Sequence, residues 1–331
     1  MKKNLSKKTC LVTGGAGFIG SSLCKRLLEK DYRVIALDDL STGSLENIDQ
    51  LFKDERFTFI NKDVRTVRLD RFQVHECYHL ASLCGVPRVK DEPLEVMLVG
   101  LEGTLNVLKW AGRHQIRVLY VSSSEIYGNP SVHPQSEDYW GYTNPVGMRS
   151  PYVEAKRTGE ALCRSFRLDK NLSIRVARLF NVYGPGFRAD DSRVVPQFIQ
   201  AAEAGAPLTI YGTGECTRSF CYVTDIVDGL IRLMEKDIDG IEEPVNLGFP
   251  EEIDIRKLAK IVIDTTGSKS MVLCVNPICD DLPRRLPDIS KAQKYLDWSP
   301  KIGIEEGIEQ TVKWFRQKLI PKPVKSVQEN Q

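Results

Sequence analysis

No two of the nine cysteines form a CxxC pair, no run approaches a membrane span, and neither sign of charge dominates. A span needs roughly 20 consecutive apolar residues. The cysteines, at positions 10, 24, 77, 84, 163, 216, 221, 274 and 279, are scattered and several sit in apolar runs. That usage suits small reduced core residues and gives neither a disulfide framework nor a metal site. The 46 basic and 44 acidic residues leave a net charge of +2, so nothing favours nucleic acid or an anionic surface as partner. The basic opening leads into a short apolar run that breaks at Gly14-Gly15, too short for the core of a secretory signal. There is no internal repeat and no low-complexity segment. These absences predict a reduced, cytoplasmic protein without a metal.

What is present points to two packed lobes, since 331 residues exceed one typical domain and 42% are hydrophobic. Short β-rich runs at Thr9–Thr13, Arg33–Leu37, Phe57–Asn61, Glu76–Leu80 and Val118–Ser122 alternate with helical patterns. The helical patterns are Phe18–Lys30, Glu95–His114 and Tyr152–Leu168. Apolar strands separated by amphipathic helices predict an α/β fold with a parallel sheet covered on both faces. After Phe180 the rhythm changes, and Val182–Gly186 and Tyr211–Gly214 read as loops. The predicted division is a first domain over 1–180, with 221–247 returning to it. A smaller lobe comprises 181–220 and 248–318, followed by a tail over 319–331.

Thr13-Gly14-Gly15-Ala16-Gly17-Phe18-Ile19-Gly20 follows the first strand and opens the first helix. Gly14, Gly17 and Gly20 suit a tight turn, a backbone close to a pyrophosphate, and close helix–strand packing. Phe18 and Ile19 lie on the same turn, whose helix N-terminus offers free N–H groups to phosphate. Asp38 ends the second strand, where a carboxylate can accept both adenosine-ribose hydroxyls and would repel a 2′-phosphate. The pattern predicts a Rossmann-type, doubly wound sheet binding NAD rather than NADP. Asp63-Val64 after the third strand either contacts the adenine or forms only a turn.

Tyr152 and Lys156 stand at i and i+4 on one predicted helix, so phenol and ammonium share a face. The cation is expected to favour tyrosinate and bring Tyr152 toward use as a base. Ser123 ends the strand before it, beside the cofactor. With the glycine turn, Ser123, Tyr152 and Lys156 resemble the extended short-chain dehydrogenase/reductases of the nucleotide-sugar epimerase, dehydratase and decarboxylase group. The resemblance spans Thr9 to Lys318. It implies that Ser123 hydrogen-bonds the sugar's 4-oxygen, Tyr152 takes the 4-hydroxyl proton, and Lys156 holds Tyr152 and the nicotinamide ribose. It also implies a homodimer through helices like Glu95–His114 and Tyr152–Leu168. Leu80 is expected at the cofactor, and Ser124, Asn181, Tyr211, Arg218 and Arg285 at the substrate, with the last three holding nucleotide base or diphosphate.

Glu125 sets a carboxylate beside the reacting carbons, where simple 4-epimerases of this group carry a small or hydroxyl residue. Decarboxylation and 4,6-dehydration both use such a group. His133-Pro134-Gln135-Ser136-Glu137-Asp138-Tyr139-Trp140-Gly141 and Asn144–Ser150, with Arg193-Val194-Val195, Thr217–Val223 and Arg285–Ser290, resemble the UDP-glucuronate decarboxylases. The resemblance implies C4 oxidation, loss of CO₂ assisted by Glu125 and Arg218, and re-reduction to UDP-xylose. Leu83–Val89 departs from it and is closer to the loop of uronate and hexosamine 4-epimerases. There Arg88 either holds a substrate carboxylate or is solvated. Gly186 also stands where relatives place Arg. A 4-epimerase, a 4,6-dehydratase and a non-catalytic NAD-binding interaction protein remain the alternatives.

Overall fold

The computed structural model describes residues 8–188, 191–236, 243–276 and 284–319. The basic opening through residue 7, the tail beyond residue 319 and Cys279 lie outside the described residues. In chain order the first elements are β1 (Thr9–Thr13), α1 (Phe18–Glu29), β2 (Arg33–Asp38), β3 (Phe57–Asn61) and β4 (Glu76–His79). Then come α2 (Val86–Asp91), α3 (Pro93–His114), β5 (Arg117–Ser123), α4 (Ser150–Lys170) and β6 (Ile174–Leu179). The second part holds β7 (Asn181–Tyr183), α5 (Val194–Glu203), β8 (Leu208–Tyr211), β9 (Thr217–Arg218), β10 (Phe220–Tyr222) and α6 (Val223–Glu235). It closes with β11 (Val245–Leu247), β12 (Ile253–Asp254), α7 (Ile255–Thr266), β13 (Val272–Val275), α8 (Ser290–Leu296) and α9 (Ile304–Leu319).

Seven strands form one sheet in the order β11-β6-β5-β4-β1-β2-β3, and every neighbouring pair is parallel. Alternation along each strand explains why these strands read as continuously apolar. In β1, Cys10 and Val12 enter one core with Leu23, Leu27 and Leu230, while Leu11 enters another with Val107 and Leu108. In β5, Leu119 and Val121 join the first core, and Val118 and Tyr120 the second. Both faces are covered by helices, so neither needs polar residues. The order runs outward from β1 in both directions, which puts the crevice at the C-terminal ends of β1 and β4.

A third core, with Phe198, Leu208, Leu258 and Ile308, holds α5, α7, α9, β8 and β10 together. Val182-Tyr183, read from the sequence as the start of a loop, belongs instead with Asn181 to a three-residue strand paired with β10. So short a strand shows no period of its own. It forms because Tyr183 is buried against Phe220 and Tyr222 in this core. Among the described residues no helix is long and apolar enough to cross a membrane.

Candidate active site

Backbone geometry makes the glycine turn a cradle. Gly14 has φ +70°, and a Cβ there would lie 2.9 Å from the Ala81 nitrogen. A Cβ on Gly20 would lie 2.0 Å from the Gly14 oxygen, so α1 can approach this closely only with glycine. No side chain caps the N-terminus of α1, which suits a phosphate there. Asp38 is buried, with Oδ2 accepting from Ala16 N at 3.0 Å and Oδ1 from Leu40 N at 2.8 Å. Burial pushes its carboxyl up, and these N–H groups oppose that. Asp38 thus braces the turn from the end of β2, and the free N–H groups of α1 fit the phosphates of an adenine dinucleotide. Leu80 donates its N–H to Thr13 O at 3.1 Å, beside this turn. The Asp63 carboxylate is taken by Arg65, through Arg65 N at 2.8 Å and Nε at 2.9 Å, and Val64 packs against Gly103.

His79 completes the floor. Thr104 donates to Gly100 O at 2.6 Å, so its oxygen accepts from His79 Nε2 at 3.1 Å. His79 Nδ1 then accepts from the Thr13 hydroxyl at 2.7 Å, and Thr13 accepts from Ala81 N at 3.2 Å. Burial holds His79 down to about 3, with Lys156 adding to the effect. An unfolded histidine takes a proton near pH 6.5, which the folded one refuses. Stability tied to His79 is therefore full above that pH and is lost as pH falls below it. We expect about 2 kcal/mol less stability at pH 5 than at pH 7 from this group. Urea unfolding at both pH values checks this, and an equal loss in His79→Gln would remove the assignment.

Ser123 ends β5, and its Oγ accepts from Glu125 N at 3.2 Å, capping the 3₁₀ turn Ser124–Tyr127. Tyr152 and Lys156 lie in the first two turns of α4. Lys156 Nζ is 5.8 Å from the Tyr152 ring centre and donates to Val121 O at 2.8 Å. Burial pulls the Lys156 ammonium down to about 8, partly offset by Cys84 and Glu160. For Tyr152, burial raises the phenol well above its ordinary value, Cys84 adds to this, and a hydrogen bond with Ser123 opposes it. The expected lowering of Tyr152 by Lys156 is therefore not met in this state. Desolvation is the largest influence on the phenol.

Glu125 lies beside this set and is gripped by two guanidinium groups. Arg149 gives Nη2 to Oε1 at 2.6 Å and Nε to Oε2 at 2.9 Å, and Arg285 gives Nη1 to Oε1 at 2.7 Å. Burial alone would raise this carboxyl, but Arg285 and Arg149 hold it down to about 2. Two expected substrate arginines lie differently here. Arg285, read from the sequence as a nucleotide or diphosphate contact, is buried with Nη1 on Glu125. Arg218, expected to work with Glu125, sits on β9 with Nη1 on Thr217 O at 2.8 Å. Arg149 was not singled out from the sequence, although it stands one helical turn before Tyr152 and so shares its side of the helix.

Other expected substrate residues are more dispersed. Ser124 is buried behind Ser123, Asn181 opens β7 half-buried, and Tyr211 ends β8 exposed. Arg88 places Nη1 2.6 Å from both oxygens of Glu92 and donates Nη2 to Ser41 O at 3.0 Å. It faces the loop after β2 rather than Glu125.

Residues 10–248 match the NAD dependent epimerase/dehydratase family. The chain is 41% identical over 325 residues to UDP-glucuronic acid decarboxylase 1 of Xenopus tropicalis, covering 96% of this chain and 76% of that protein. It is 42% identical over 319 residues to UDP-glucuronic acid decarboxylase 6 of Arabidopsis thaliana, covering 96% and 92%. Among solved structures, the UDP-glucuronic acid 4-epimerase of Bacillus cereus with UDP-glucuronic acid and NAD superposes with TM-score 0.87. The two are 29% identical, and the match covers 94% of this chain and 99% of that one.

Proposed function

Because the chain belongs to the NAD dependent epimerase/dehydratase family, we propose that it oxidises a nucleotide sugar at C4 and that the sugar is UDP-glucuronate. The product is UDP-xylose. The observation that carries this reading is Glu125, a carboxylate held ionised between Arg149 and Arg285 beside Ser123 and Tyr152. Decarboxylases from a vertebrate and a plant, each similar over most of this chain, support it. In this division 1–180 with 221–247 binds NAD, and 181–220 with 248–318 binds the nucleotide sugar.

The glycine turn and Asp38 would hold NAD, which would supply the acceptor and later the donor of the C4 hydride. Tyr152 takes the 4-hydroxyl proton as tyrosinate, a form that Lys156 and the nicotinamide charge of bound NAD would favour, while Ser123 hydrogen-bonds the same oxygen. The resulting ketone stands β to the C6 carboxylate, so the C5–C6 bond can break with its electron pair passing into an enolate. CO₂ leaves, and Ser123 and Tyr152 stabilise the enolate oxygen by hydrogen bonding. A carboxylate held near 2 is not itself the acid for C5. Glu125 instead orients a water that delivers the proton, with Arg285 and Arg149 fixing its direction. Protonation at C5 precedes re-reduction at C4.

The second reading, a uronate 4-epimerase, draws on the Arg88 loop and on the Bacillus cereus structure. Incubation with UDP-glucuronate and no added reductant separates the two. CO₂ with UDP-xylose is expected, UDP-galacturonate would favour epimerisation, and an unchanged substrate would sink both. A homodimer through α3 and α4 accompanies the proposal, supported by the exposed apolar side chains Leu94, Met97 and Leu168 on those helices. A cytoplasmic location rests on the scattered cysteines.

A further inference from the structure

Arg285 lies 160 positions from Glu125 in the chain and on a stretch without helix or strand. Something outside that stretch must therefore aim it. Among the described residues Gln135, which is 0% exposed, makes three hydrogen bonds to this stretch, and Ser219 N donates to Arg285 O at 3.2 Å. Gln135 Oε1 accepts from Leu286 N at 2.8 Å, its own N donates to Leu286 O at 2.8 Å, and its O accepts from Asp288 N at 2.9 Å. Its Nε2 donates to Val132 O at 2.8 Å, which fixes which end of the amide faces Leu286. Both main-chain polar groups of the residue after Arg285 are thus held by a single side chain and its backbone.

A second amide ties this bracket to the other end of the ion pair. Asn246 Nδ2 donates to Gln135 O at 2.9 Å and to Asp288 O at 3.1 Å. Its Oδ1 accepts from the Tyr127 hydroxyl at 2.7 Å, and that hydroxyl also accepts from Arg178 Nη1 at 2.9 Å. Tyr127 ends the 3₁₀ turn that carries Glu125. One buried network therefore grips both partners of Glu125–Arg285. A charged pair at a reacting centre depends steeply on such support, because a misplacement of about 1 Å can lower a rate about 10²-fold.

We propose that Gln135 is a positioning residue, whose side-chain amide and main chain together bracket residues 286–288 and aim the Arg285 guanidinium at Glu125 for loss of CO₂ and C5 protonation. The proposal rests on the decarboxylase reading. It gives the His133–Gln135 segment a task in the chemistry, although that segment touches neither Ser123 nor Tyr152 through any bond described above.

Gln135→Met keeps the length and removes the side-chain amide, with its bonds to Leu286 N and Val132 O, while the main-chain bonds of residue 135 remain. The expected result is a kcat on UDP-glucuronate lower by about 10- to 100-fold, with KM nearly unchanged. A larger share of turnovers should end as released UDP-4-keto sugar, because oxidation at C4 does not use Arg285. The acid limb of the kcat profile should also move to higher pH, since Glu125 would keep Arg149 but lose its second cation, with Tyr152 the other ionisable group facing it. A loss of kcat with no change in keto-sugar share or acid limb would mean a merely structural glutamine and would overturn the proposal. If that variant does not fold, Asn246→Asp keeps the acceptor for Tyr127 and removes the donor to Gln135 and Asp288. The same shifts, smaller, are then expected, and their absence overturns the proposal. Wild-type protein measured alongside separates the two levels. No CO₂ from wild type overturns the function and this inference together, whereas normal wild type with unshifted variants overturns this inference alone.

Discussion

Tyr152→Phe should lower turnover of UDP-glucuronate by about 10²- to 10⁴-fold, the range removed with a positioned acid–base group, while NAD remains bound. The hydroxyl is the only atom lost, and phenylalanine keeps the ring that packs beside Leu83, Val89, Val96 and Val99. The cofactor cradle, built from Gly14, Gly17, Gly20 and Asp38, does not depend on that oxygen. Turnover assays together with measurement of NAD retained on the purified variant check both halves. Full activity in the variant would refute the chemistry assigned to α4. Loss of activity together with loss of NAD would instead mean that Tyr152 serves cofactor binding.

Glu125→Gln should divide the reaction. Oxidation at C4 uses Ser123, Tyr152 and Lys156 and is expected to proceed, whereas the steps at C5 and C6 should slow by about 10²-fold, the loss that goes with a misplaced reacting group. The reduced nicotinamide and a 4-keto sugar should therefore accumulate after UDP-glucuronate is added, seen as a rise in nicotinamide absorbance that fades slowly. Unchanged product formation would refute the role of Glu125. The change also leaves two buried or half-buried guanidinium groups without their anion, and removing one member of a buried pair destabilises by about 3–5 kcal/mol. In the parent chain this contribution follows the depressed carboxyl. It is fully present above the unfolded glutamate value of about 4.3 and is lost as pH falls from there toward 2. Comparing acid unfolding of parent and variant isolates it.

The elements that were readable in advance share a local cause. Strands β1 and β5 are apolar on both faces because helices cover both, and this pattern shows within five to seven residues. The glycine turn is readable because Gly14 and Gly20 must tolerate contacts that any Cβ would block. Tyr152 and Lys156 pair because four residues make one helical turn. By contrast, β7 is three residues long and exists through burial of Tyr183 in the third core, so no period announced it. The protonation of Tyr152 is hidden for a related reason. The sequence displays the neighbouring Lys156 but not the degree of burial, which is the largest influence on the phenol.

The arginines mark the boundary most sharply. From order and spacing alone the chain determines a parallel α/β sheet, a dinucleotide turn, and a Ser123/Tyr152/Lys156 set on the C-terminal side of that sheet. Each depends on residues near in sequence, where chain geometry leaves few arrangements. Which arginine meets Glu125 was decided only by the tertiary structure. Arg218 and Arg285 both lie far along the chain, and it is the buried hydrogen bonds of Gln135 and Asn246, joining segments more than 100 positions apart, that bring Arg285 in. Contacts of that reach depend on how the whole chain closes, because a guanidinium can serve any carboxylate that the fold carries within range.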